Sequence, residues 1–82
     1  MNIIKWIKLE WYIPQRNKAK AKVDGHRHIA QYYEEKPLHK RSSRINATIE
    51  YNYAMASIWQ EKLEKFEAKI TKINNSDLED LR

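Results

Sequence analysis

The sequence predicts a small α+β protein, a three-stranded antiparallel β-meander followed by one long C-terminal α-helix with a heptad seam. Three observations predict it. Residues 43–73 carry an unbroken apolar seam at helical spacing. Residues 2–13 and 18–23 alternate in the manner of strands. The only glycine, Gly25, follows Asp24 in the dipeptide that best signals a two-residue hairpin turn. An all-α helical hairpin or small bundle is the competing architecture.

The first strand is Asn2 to Ile13, rich in β-branched and aromatic residues. Its odd positions Ile3, Ile7, Leu9, Trp11 and Ile13 are apolar, with Lys5 the exception. Such alternation buries one face of a strand. Ile3, Ile4, Ile7 and Trp11 would also share one face of a helix, which is the rival for this segment. Pro14 to Asn17 supply a turn.

Lys18-Ala-Lys-Ala-Lys-Val23 is the second strand and His26 to Tyr33 the third. With a two-residue turn, Ala19, Ala21 and Val23 share a face with His26, His28 and Ala30, and Lys18, Lys20, Lys22 and Arg27 share the other. A slip of one residue would exchange these faces. The helical rival has its own support. Ala19, Val23, His26, Ala30 and Tyr33 also fall at spacings of 4, 3, 4 and 3. In that arrangement Gly25 weakens the helix interior by about 1 kcal/mol.

Residues 34–41 read as a linker in which Pro37 ends the preceding element. The long helix follows over 42–73, with Ser42 or Ser43 as its cap. Ile45, Ile49, Asn52, Ala56, Trp59, Leu63, Phe66, Ile70 and Ile73 alternate at 4 and 3, a coiled-coil pattern with Asn52 its one polar member. Asn74-Asn75 reads as a stop and 74–82 as a tail, with a capping-box pattern at Ser76 to Glu79. Residues 1–82 make one small domain.

A 31-residue helix is roughly 46 Å long, while a compact domain of this size is about 30 Å across. Leu63, Phe66, Ile70 and Ile73 would then overhang the domain and need a partner. The expectation is a homodimer whose interface is Ile49, Ala56, Trp59, Leu63, Phe66, Ile70 and Ile73.

Charge points to a second partner. Residues 1–44 hold 11 Lys/Arg against 4 Asp/Glu, and residues 45–82 hold 5 against 7. The net charge of +5 is therefore concentrated in the first half. Cations attract backbone phosphates and aromatic rings stack on bases. The expectation is nucleic-acid binding, to RNA or DNA, through Arg16, Lys18, Lys20, Lys22, Arg27, Lys40, Arg41 and Arg44, with Tyr33 or Trp6 stacking. The alternative function is a protein-interaction module or small inhibitor docked through the helix seam.

Enzymatic chemistry has little to stand on. No Ser or Thr has a recognisable base and orienting group, and one glycine cannot build a phosphate loop. His26, His28 and His39 are the candidate metal ligands, but without Cys or a spaced carboxylate no metal and no cofactor is expected. Trp6, Trp11 and Tyr12 with Lys5 and Lys8 would suit an interfacial membrane helix only if 2–13 were helical. On the strand reading these tryptophans are core, so the membrane is set aside. Lys5, Lys8 and Glu10 interrupt any signal-peptide core, and the expected location is cytoplasmic.

Overall fold

The computed structural model describes the backbone of residues 3–80 and the side chains of residues 3–75. Two long antiparallel helices dominate it. Helix α1 spans Ile3–Glu34 and α2 spans Ser43–Asp80, joined by a connection that contains one 3-10 turn, Leu38–Lys40. No strand occurs among the described residues. The three-stranded meander is therefore wrong, and the all-α hairpin is the architecture found.

The reason lies in a seam on α1 that the alternating pattern hides. Positions 5, 9, 12, 16, 19, 23, 26, 30 and 33 step by 4 and 3 from end to end. Every one of them is buried or half-buried. The nine seam positions of α2, from Ile45 to Ile73, are also all buried or half-buried. Each helix thus supplies the covering the other needs, and a sheet is not required to bury either face.

The register is visible at two levels. His26 meets Asn52 in a side-chain hydrogen bond. Fourteen residues earlier on α1, Tyr12 meets Phe66, fourteen residues later on α2, with ring centroids 6.4 Å apart. The pairing therefore runs two full heptads without a slip. Between these levels Ala19, Val23 and Leu63 form the core, with Trp59 and Phe66 packed against it. Ala19, Ala30 and Ala56 are fully or nearly fully buried, and their small side chains let the helices approach closely.

Three local signals that argued for strands and turns are overridden. Pro14 lies inside α1 on its exposed side, so the carbonyl it leaves without a donor faces water. Gln15 donates from its side-chain amide to the Trp11 carbonyl at 3.2 Å in that same turn. Gly25 has helical geometry, and no described residue has a positive φ, so the Asp24-Gly25 turn does not form. Asn74-Asn75 does not stop α2, which continues to Asp80. Asn costs well under 1 kcal/mol in a helix interior relative to Ala, too little to end one.

The helix ends are capped more conventionally. Ser42 Oγ accepts from the Ile45 N–H at 3.2 Å and the Ser42 carbonyl accepts from the Asn46 N–H at 3.0 Å, making Ser42 the cap of α2. Arg41 closes α1: its Nε donates to the Lys36 carbonyl at 2.9 Å and its second guanidinium nitrogen to the Glu34 carbonyl. A cation there also suits the negative end of the α1 dipole.

The molecule is a rod with extents of 62 × 19 × 15 Å and a radius of gyration of 18.4 Å. This removes the premise of the overhang argument, which assumed a compact domain. Leu63, Phe66, Ile70 and Ile73 do not project past the fold, because α1 runs beside them. A rod is poor at hiding surface. The chain exposes 6669 Å², against about 5,200 Å² for a compact monomer of 9.9 kDa.

Replacing Gly25 by Ala tests the helical state of this region. Nothing lies within 4 Å of a Cβ built there. Gly25→Ala is expected to raise the urea-unfolding free energy by about 0.5–1 kcal/mol. In a hairpin turn the same change would lower it.

Candidate nucleic-acid interface

Winding 16–33 into a helix redistributes the basic residues that a sheet would have aligned. Lys18 and Lys22, one turn apart, are exposed along one flank of α1, with Lys22 bordering the seam. With Ala21, Gly25, His26 and Ile29 they line a shallow groove along that side. Lys20 and Arg27, seven residues apart, follow a second row on the opposite flank, and Arg16 in the seam is half-buried with its Nε donating to Asn17 at 2.9 Å. The single strip becomes two rows along one helix. Asp24 is the only acidic residue among 16–33.

Lys18, Lys20, Lys22 and Arg27 make no hydrogen bond or ion pair among the described residues. Glu50, Glu61, Glu64 and Glu67 all lie on the other helix and do not neutralise them. Among the described side chains, α1 carries 7 Lys/Arg against 3 Asp/Glu and α2 carries 5 against 4, so the cationic excess lies mainly on α1.

The remaining expected contacts lie elsewhere. Tyr33 is a half-buried seam residue, edge-on to Tyr32 at 5.2 Å, with Lys36 Nζ 5.7 Å from its ring centroid. Its faces are in use, so it is poorly placed to stack on a base. Tyr32, one residue earlier, is the exposed aromatic. Lys40, Arg41 and Arg44 sit around the hairpin tip, with Lys40 and Arg44 exposed and Arg41 committed to capping α1. Trp6 is at the far end of α1 from the tip.

The expected dimer residues Ile49, Ala56, Trp59, Leu63, Phe66, Ile70 and Ile73 all occupy the seam against α1 of the same chain. The alternative of a partner protein docked into that seam meets the same obstacle. The candidate metal ligands are separated too. His26 turns into the seam, His28 lies on the opposite side and is exposed, and His39 is in the 3-10 turn. No cluster of three His, Asp or Glu side chains that could hold a metal exists among the described residues.

His26 and Asn52 form a polar contact in the middle of the seam. Asn52, 5 % exposed, donates from Nδ2 to the Thr48 carbonyl at 2.8 Å. Its Oδ1 therefore faces His26 Nδ1, 2.9 Å away. A carbonyl oxygen only accepts, so Nδ1 carries the proton. The pair satisfies both groups in this register alone, which is how a polar seam residue fixes alignment. A second cross-link ties the tip, where Tyr53 Oη donates to Glu34 Oε2 at 2.8 Å. That hydrogen bond to a carboxylate, with some desolvation and the carboxylate charge, pushes the Tyr53 phenol above its usual range.

Sequence reading missed one feature of this surface. Lys8 on α1 and Lys69 and Lys72 on α2 line a common cleft with Tyr12 and Ile73. Lys69 Nζ lies 5.2 Å from the Tyr12 ring centroid and 6.0 Å from that of Phe66. Only the hairpin register brings residues so distant in sequence together.

The chain matches no protein-family model, and no curated protein or solved structure is similar to it. No family is shown. None of the described helices is long and apolar enough to cross a membrane.

A double-mutant cycle checks the register pair. His26→Ala, Asn52→Ala and the double variant, compared by urea unfolding, are expected to show a coupling of about 1 kcal/mol. Additive effects would mean that the two side chains do not act together.

Proposed function

We propose that the protein is a non-enzymatic nucleic-acid-binding hairpin that grips the backbone of a duplex with the cations on the two flanks of α1. The observation that supports this reading is the uncompensated charge of Lys18, Lys20, Lys22 and Arg27 on one helix, with a single acid among them. Electrostatic attraction to phosphates needs cations that are not already paired.

The shape of the helix narrows the target. A helix with side chains is about 10–12 Å across, and the B-form major groove is about 12 Å wide. Ala21 and Gly25 keep the middle of the outward side low, so the backbone can come close to its ligand. The A-form major groove is too deep and narrow for such an element. Base stacking contributes little, since the Tyr33 ring is engaged within the fold. A B-form duplex bound mostly through phosphates fits these features best, with Lys40 and Arg44 extending contact at the tip.

Fluorescence anisotropy with a 20-base-pair duplex tests the reading. Four phosphate contacts predict a slope of about −3 to −4 in log K against log salt. Lys18→Glu, Lys20→Glu and Lys22→Glu together should weaken binding by at least about a hundredfold at 100 mM salt and flatten the slope. Affinity that does not change with salt would overturn the proposal.

A further inference from the structure

The first three turns of α1 present an apolar face to solvent. Ile3, Ile7 and Trp11 stand at i, i+4 and i+8 on the side away from α2, and Trp6 borders them. Their exposures are 72, 55, 68 and 52 %. Together they leave on the order of 500–600 Å² of apolar side chain in water, as large as the largest patch on a typical monomer. None is needed for the core, which lies in the seam. The strand reading, which made these tryptophans core, no longer applies.

What surrounds the face decides what covers it. Lys8, Lys69 and Lys72 converge on the adjoining cleft, and no acidic side chain lines it among the described residues. Glu10 is the only acid in the first three turns of α1. Three ammonium groups in one cleft repel one another unless an anion sits among them. A second copy would bring the same cations to the interface again. It would also gain less than the roughly 800 Å² per partner that a standard dimer interface buries. An anionic lipid surface answers both features. Acyl chains receive Ile3, Ile7 and the indole rings, the indole N–H groups meet the headgroup zone, and lysines reach the phosphates.

We propose that the N-terminal end of α1 docks on an anionic membrane surface, with Trp6, Trp11, Ile3 and Ile7 in the interfacial zone and the Lys8, Lys69 and Lys72 cleft against headgroup phosphates. The docking end is separate from the duplex-binding midsection, and the inference does not rest on that reading. Helix α1 lies in the membrane plane and does not cross it.

Vesicle flotation with the full chain tests this, using phosphatidylcholine alone and phosphatidylcholine with about one third phosphatidylserine. Binding to the anionic vesicles with a blue shift of tryptophan emission is the expected result. The double variant Ile7→Ser, Trp11→Ser should lose about tenfold or more in partition. Both side chains are exposed, so helicity by circular dichroism should be retained. Lys69→Ala with Lys72→Ala should remove most of the preference for anionic over neutral vesicles. Absence of binding overturns the proposal. So does binding without an emission shift, which would place the contact on the basic midsection alone. A concentration-dependent dimer in sedimentation equilibrium that shifts the same emission without lipid would assign the face to a second copy. No vesicle assay contains nucleic acid, so failure here leaves the duplex-binding test untouched.

Discussion

Two heptad seams meeting in one register hold this protein together. Neither helix has another source of burial, because the hairpin is only two helices thick. The seam is narrow and rich in alanine, and Val23 is the largest side chain that is fully buried. Apolar packing of this kind tolerates sliding, since one Ala or Leu replaces another at little cost. His26 and Asn52 remove that tolerance. A slip of one heptad would set Asn52 beside Ala19 or Tyr33 and leave a buried amide without its partner, at a cost of about 1–3 kcal/mol. The register then determines everything that depends on both helices, including the Tyr53–Glu34 link and the cleft of three lysines.

The parts legible in the sequence were those whose local and long-range signals agree. The α2 seam from Ile45 to Ile73 is apolar, uninterrupted and capped at Ser42, and the structure places every one of its nine positions toward α1. Helix α1 was obscured because its signals conflict. Lys18 to Val23 alternates with period two while Ala19, Val23 and His26 also follow the heptad. Asp24-Gly25 and Pro14 each argue for a turn, yet in a helix the glycine costs about 1 kcal/mol and the proline about 3 kcal/mol or more. Those penalties are set against a partner helix lying alongside, which a single segment cannot reveal. The tell-tale was the continuation of the heptad through positions 5, 9, 12 and 16, where Lys5 and Arg16 make the stripe look broken. Long cationic side chains can cover apolar surface with their stems, so a seam can include them.

The same conflict governed the expected sites. On a strand, residues two apart share a face; on a helix they point to nearly opposite sides. The run of Lys18, Lys20 and Lys22 therefore reads as one strip in a sheet and as two rows in a helix, and His26 and His28 part company. The cations themselves were identified from composition, and their lack of partners emerged only with the fold. Arg41 changed meaning most. In the sequence it reads as a phosphate contact beside Lys40 and Arg44. Folded back, it binds carbonyls at the end of α1.

A rod with a one-residue-wide core has a consequence for where function can lie. The seam consumes the best apolar residues of both helices and leaves no concave interior, so any binding must use the outer surfaces. Those surfaces are unequal. The described outward side of α2 carries mixed, nearly balanced charge. The exposed surface of α1 is apolar at one end and basic along the flanks of its middle, with two tryptophans and four unpaired cations. Exposed indole and isoleucine do not strengthen an isolated hairpin, and clustered cations weaken it through mutual repulsion. Both features become favourable only against a partner that supplies negative charge, and at the apolar end that partner must also take up hydrocarbon. Stability is thus concentrated on the inner side of α1, and the proposed binding surfaces are its exposed sides, divided along the length of a single helix.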